Sequence, residues 1–169
     1  MVDVRPAHQP ALDTRALREA LGGFATGVTI ATCRDAAGAP VGLTVNSFNA
    51  LSLSPPLVLW SLRLASPNLA AFDAATHFAI NVLAESQVEL SRRFAAARPG
   101  KFDDGLWGEG AGGVPLLAGS AATLECERSV SHTAGDHRLY IGRVLAIASQ
   151  PVPPLLFHGG RYHLLGEIL

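Results

Sequence analysis

The stretch Pro40-Val-Gly-Leu-Thr-Val-Asn-Ser-Phe-Asn-Ala-Leu-Ser-Leu-Ser-Pro-Pro-Leu-Val-Leu-Trp-Ser-Leu62 decides how this chain is read. Pro40–Val45 and Leu57–Leu62 carry the aliphatic and β-branched residues of strands. The run Leu57-Val-Leu-Trp is apolar on both faces, as in a central strand or a barrel wall, and Pro55-Pro56 suits its entry. Yet Thr44, Asn46, Ser47 and Ser61 stand where plain core residues would pack better. A buried polar group without a partner costs on the order of a few kcal/mol. These four either satisfy one another and the backbone or face a polar ligand, and the pattern points to a cofactor site.

Upstream, Ala16, Leu17, Ala20, Leu21 and Phe24 repeat at helical spacing behind a capping Asp13 or Thr14, after a loose lead-in over residues 1–12. Val28–Cys33 then reads as a strand, and the turn at Gly38 returns the chain into Pro40–Val45. Downstream, Ser66 caps a short helix to about Ala74 with Pro67 in its first position. Phe78–Leu83 reads as a strand, and Ser86 to about Ala97 as an amphipathic helix packing through Val88, Leu90, Phe94 and Ala95. The Gly-rich run Pro99–Ser120 reads as a long ordered loop, of the kind that is usually functional. Ala121–His132 and His137–Ser149 are two long strands about Thr133-Ala-Gly-Asp, and a last strand falls near Tyr162–Leu165. Six to seven antiparallel strands with about three helices make a mainly β chain, a closed or partly closed barrel with its helices outside. The whole length, 1–169, reads as a single domain.

The 169 residues are 49% hydrophobic and 16% charged, with a net charge of −1. The only lysine is Lys101 and no basic face gathers, which excludes charge-driven nucleic-acid binding. No stretch reaches the roughly 20 apolar residues that span a bilayer, and the N-terminus has no apolar signal region. A cytoplasmic chain without a membrane partner is expected. So much apolar surface on a small domain points to a subunit interface, hence a homodimer. Cys33 and Cys126 lack metal spacing and read as free core thiols, with a disulfide between them as the other option.

No Gly-x-Gly-x-x-Gly follows a strand, no Gly-x-Ser-x-Gly holds a serine, and no His-Glu-x-x-His marks a metal. His8, His77, His132, His158 and His163 read as surface or core residues. Backbone N–H groups and hydroxyls can hold an anion without lysine, so Thr44, Asn46 and Ser47 suit a phosphate or a flat heteroaromatic ring. Ser66-Pro67-Asn68 at a helix start adds a second anion-friendly position. Gly135-Asp136-His137 is either an ordinary hairpin turn or an imidazole held by its neighbouring carboxylate at the barrel mouth.

Taken in order, Phe24-Ala-Thr-Gly-Val-Thr, Pro40-Val-Gly-Leu-Thr-Val-Asn-Ser-Phe, Leu51-Ser-Leu-Ser-Pro-Pro-Leu-Val-Leu, Phe78-Ala-Ile-Asn-Val-Leu, Gly135-Asp-His and Pro154-Leu-Leu-Phe resemble the flavin reductase-like domain family. The resemblance runs from about Leu17 to Tyr162. It implies an FMN-binding split β-barrel that holds flavin, FMN or FAD, at a homodimer interface. It also implies NAD(P)H:flavin oxidoreductase activity, in which hydride from NADH or NADPH reduces flavin for a partner flavin-dependent monooxygenase. A flavin carrier or sensor, or a flavin-mediated corrinoid reductase, is the alternative. By the same resemblance Pro40, Val41, Gly42, Leu43, Thr44, Asn46 and Ser47 would contact the ring and ribityl chain. Ser61, Leu62 and Arg63 would line the same site, and Ser66, Pro67 and Asn68 would meet the phosphate end. Arg93 and Phe94 match the family's Arg-Phe pair near the flavin. His137, with Gly135 and Asp136, matches the nicotinamide nucleotide motif, and Tyr162 would close that pocket. One departure stands out: the aromatic-Arg-Gly order near the C-terminus appears as His158-Gly159-Gly160, with Arg161 one step later.

Overall fold

A computed structural model describes residues 12–168. The lead-in over 1–11, with His8, and the last residue lie outside them. Among the described residues there are three α-helices and twelve strands. Helix α1 (Thr14–Gly22) is followed by β1 (Thr26–Gly27), β2 (Thr29–Arg34), β3 (Pro40–Val45), β4 (Asn49–Leu53) and β5 (Pro56–Arg63). Helix α2 (Leu69–Ala74) and β6 (His77–Val82) lead through a 3-10 turn, Glu85–Gln87, into α3 (Val88–Ala95). Then come β7 (Trp107–Glu109), β8 (Pro115–Leu117), β9 (Ala122–Ala134), β10 (His137–Ser149), β11 (Leu156–His158) and β12 (Arg161–His163).

Seven strands form one antiparallel sheet in the order β3-β2-β6-β9-β10-β5-β4. In a flat sheet, the five inter-strand steps from β3 to β5 would separate them by about 24 Å. Instead Ser47, two residues past β3, donates its hydroxyl to the carbonyl of Ser61 in β5 at 2.9 Å and accepts the Ser61 N–H at 3.0 Å. The sheet therefore curls on itself and is closed by a serine clasp in place of a ladder. Inside the curl lie Ala31, Cys33, Val45, Val58, Trp60, Leu62, Phe72, Phe78, Ile80, Cys126 and Tyr140. The Trp60 indole stacks on Tyr140 with centroids 4.8 Å apart and meets the Phe72 edge at 4.8 Å. The Tyr140 hydroxyl donates to Asp73 at 2.8 Å, tying α2 across one end.

A second apolar layer lies on the outer face of the sheet, where Val28, Ile30, Leu83, Leu90, Phe94, Leu117 and Leu155 pack together. β2 is buried on both faces for this reason, with Ala31 and Cys33 in one core and Ile30 in the other. Asn81, fully buried in β6, donates to the Ile30 carbonyl at 3.1 Å and accepts the Leu117 N–H at 2.8 Å. That amide fixes the β7–β8 hairpin to the sheet.

Several segments differ from the sequence reading. Helix α2 begins at Leu69, because Ser66 forms a turn before it: the Ser66 hydroxyl accepts the Asn68 N–H at 3.2 Å and its carbonyl the Leu69 N–H at 3.1 Å. Strands β1, β4 and β11 were not read as strands, and twelve strands, several of two or three residues, stand where six to seven were expected. Pro99–Ser120 is not wholly loop, since β7 and β8 pair within it. The C-terminal departure has a backbone cause: Gly159 and Gly160 have φ of 56° and 78°, the paired left-handed values a two-residue hairpin turn needs between β11 and β12. Cys33 and Cys126 are free and fully buried, each in the inner core.

Candidate functional site

Strand β3 is an edge of the large sheet, so alternate residues turn unpaired backbone N–H and C=O groups outward. Those groups face a cleft of two merging lobes, about 490 Å³ and 450 Å³, which share Leu43, Thr44, Ser66 and Pro67. The first lobe runs along Pro40–Thr44, Ser66–Asn68 and 94–102. The second is bounded by Leu43–Ser47, Ser61–Arg63, 65–67 and His137.

Most of the residues singled out in the sequence thus meet on one surface. Gly42 has to be glycine, since a Cβ there would lie 2.9 Å from the Phe94 ring and 3.1 Å from that of Phe102. Phe94, buried to 1% exposure, is the floor beneath β3. Thr44 donates its hydroxyl to the Ser91 carbonyl at 2.6 Å, and Ser47 is held in the clasp with Ser61. Both hydroxyls are satisfied within the protein, and Asn46 is exposed, with no side-chain hydrogen bond among the described residues.

His137 opens β10 opposite Arg63 of β5, and its Nδ1 lies 2.7 Å from Asp136 Oδ1. The Asp136 carboxyl is held below the usual carboxylate range, first by this hydrogen bond and then by the neighbouring imidazole's charge. That contact leaves Nε2 as the ring's other polar atom. Gly135, at φ 58°, makes the turn that sets the pair at the cleft rim.

Four predicted positions lie off the lining: Arg93, Gly135, Asp136 and Tyr162. Arg93 is ion-paired with Asp104. Asp136 reaches the cleft only through His137. Tyr162 lines a separate 180 Å³ recess with Phe157 and Val28, which touches the cleft at Thr44, Asn46 and Ala95.

The structure adds residues that the sequence reading missed. Arg98 and Lys101 both line the larger lobe, and neither has a carboxylate partner among the described residues. Burial, then the Arg98 charge, lowers the Lys101 ammonium from its ordinary value. The one available cue was that Lys101 is the chain's only lysine.

An open strand edge, the aliphatic faces of Val41, Leu43 and Pro67 and two cations at one end fit a flat heterocycle with an anionic tail. The lobes have the size of small-molecule sites, roughly 300–1,000 Å³. Among the described residues no group of three His, Cys, Asp or Glu could hold a metal, and no helix is long and apolar enough to cross a membrane.

The model of the "Flavin reductase like domain" matches residues 21–166. The chain belongs to the flavin reductase-like domain family. It is 48% identical over 151 residues to an Agrobacterium fabrum protein named FMN reductase (NADH) SmoA, covering 89% of this chain and 85% of that one. The reductase subunit HsaB of a flavin-dependent monooxygenase from Rhodococcus jostii is 43% identical, over 90% of this chain and 78% of its own. Among solved structures, the Streptomyces globisporus NADH:FAD oxidoreductase SgcE6, in complex with NAD and FAD fragments, superposes with a TM-score of 0.86 at 36% identity. That match covers 94% of this chain and 98% of the other. The fold is the flavin reductase split barrel, as the sequence of motifs implied.

Proposed function

We propose that this protein is an NAD(P)H:flavin oxidoreductase, acting as a single domain that supplies reduced flavin to a partner monooxygenase. The observation that carries the reading is the convergence of the β3 edge, the Ser66 turn and His137 on one cleft in a chain of this family. The relatives' names, an NADH-dependent FMN reductase and a monooxygenase reductase subunit, support the reaction and the kind of partner.

Flavin, when bound, supplies the chemistry as a hydride acceptor: one hydride from the nicotinamide and one proton from solvent complete its two-electron reduction. The chain's own task is placement, with the reacting atoms held roughly 3–3.5 Å apart. Val41 and Leu43 offer apolar contact, and the open backbone N–H groups of β3 are the preorganised donors available to developing negative charge. His137 positions the nicotinamide nucleotide through Nε2, with Asp136 orienting the ring. Ser66–Asn68, Arg98 and Lys101 take the phosphate end.

A homodimer fits the apolar side chains left exposed on α1 and just past it, where Leu21 is 65% and Phe24 75% exposed, and Ile147 of β10, also 75% exposed. Free thiols at Cys33 and Cys126 suit a cytoplasmic setting. The test is to mix the purified protein with NADH, or NADPH, and FMN or FAD, and follow absorbance at about 340 nm, the nicotinamide band. Flavin-dependent loss of NADH is expected. Loss of nicotinamide absorbance that ignores added flavin, or no loss with either flavin, would reject the reductase.

A further inference from the structure

Ser91 lies outside the cleft, fully buried in α3, yet it touches the cleft wall from behind. Its Oγ is 2.8 Å from the hydroxyl of Tyr162 in β12. Its carbonyl oxygen accepts the hydroxyl of Thr44 at 2.6 Å. The Tyr162 ring is held in turn, 5.6 Å from Phe157 and beneath the Arg92 guanidinium at 5.7 Å.

A hydroxyl has one hydrogen and two lone pairs. The Thr44 hydrogen is taken by Ser91, so only lone pairs remain for the cleft. Ser47 is in the same condition, donating to the Ser61 carbonyl and accepting the Ser61 N–H. The hydroxyls of Thr44 and Ser47 therefore accept hydrogen bonds and cannot donate them to a ligand.

We infer that Thr44 is a hydrogen-bond acceptor for an N–H or O–H group of the flavin, and that Ser91, pinned by Tyr162, is the positioning residue that keeps it one. This rests on reading the cleft as the flavin site. An acceptor suits the flavin's imide N–H or a ribityl hydroxyl, and it opposes the ring edge where negative charge gathers on reduction. Thr44 then contributes equally to binding oxidised and reduced flavin, and the charge is met by donors elsewhere.

The test combines fluorescence titration with oxidised FMN and the midpoint potential of bound FMN, measured on wild type, Thr44→Val, Thr44→Ser, Ser91→Ala, Tyr162→Phe and the Ser91→Ala/Tyr162→Phe double variant. Thr44→Val is expected to raise Kd about tenfold with the potential unmoved, and Thr44→Ser to recover most of that affinity. Ser91→Ala and Tyr162→Phe should each weaken binding a few-fold, with the double variant no worse than either, since both delete one bond. Unchanged Kd in Thr44→Val overturns the acceptor role. So does a drop in potential of about 30 mV or more, a tenfold selective loss of reduced-flavin binding in a two-electron couple. Additive effects of Ser91→Ala and Tyr162→Phe overturn the positioning role. A wild-type protein that binds no flavin would instead remove the functional reading itself, and melting curves separate either result from loss of fold.

Discussion

Lys101 Nζ donates to the carbonyl oxygen of Phe94 at 3.2 Å and stands 5.5 Å from the centroid of the same residue's ring. The chain's only lysine is thereby held on the lobe that also contains Ser66–Asn68. A charge-assisted hydrogen bond to a phosphate is worth about 1.5–3 kcal/mol, less where solvent reaches it. Replacing Lys101 by Met should raise KM for FMN about fivefold to tenfold and leave riboflavin, which has no phosphate, unaffected. Steady-state kinetics with both flavins checks this, and equal rises would place the lysine away from the phosphate.

Gly42→Ala puts a methyl group against Phe94 and Phe102. Overpacking of this kind costs about 1–3 kcal/mol, or several degrees in Tm for a chain of this size. The double variant with Phe94→Leu should recover part of the loss. A Gly42→Ala protein that melts like wild type would mean β3 does not lie on that ring.

His137→Ala should raise KM for the nicotinamide nucleotide far more than it weakens flavin binding. Asp136→Ala should act in the same direction and more weakly, because the imidazole stays but loses the carboxylate that orients it. Similar losses toward both ligands would remove His137 from the nicotinamide subsite.

Burial pushes both thiols, Cys33 and Cys126, up to about 12, with the nearby Asp35 and Glu125 charges adding to it. Their folded values lie above the ordinary thiol value of 9.0, so the neutral thiol is favoured by folding. This stability is fully present below about pH 9 and is lost as pH rises from there toward 12, by about 1.4 kcal/mol per pH unit for each thiol. Denaturant melts between pH 8 and 11 should show the decline, and a Cys33→Ala/Cys126→Ala variant should show less of it. Native protein at pH 8 should resist thiol reagents that react fully once it is unfolded.

The β9–β10 hairpin was readable because its strands are long and its turn carries Gly135. Strand β4 was not, because an edge strand with mostly exposed residues has no apolar face to advertise it. The β7–β8 hairpin escaped notice because its strands have three residues each, and the Asn81 side chain that fixes it comes from 36 positions away. In the cleft, polar residues interrupting apolar runs revealed Thr44 to Ser47 and Ser61. The direction of their hydroxyls was hidden, since Thr44 turns to a carbonyl 47 residues along. The cations at 98 and 101 were hidden too, for they sit in a Gly- and Pro-flanked segment without periodicity.

The unpaired edge of β3 has a consequence for the protein's survival in solution. An unguarded strand edge is where another chain can add on and where unfolding starts most readily. A ligand lying along that edge shields the backbone groups that would otherwise recruit a neighbour, and it stabilises the folded state by mass action. Backbone amides of Val41–Val45 that exchange fastest in the free protein would be those most slowed by ligand. A supply of the small molecule would then protect the chain against aggregation, quite apart from turnover.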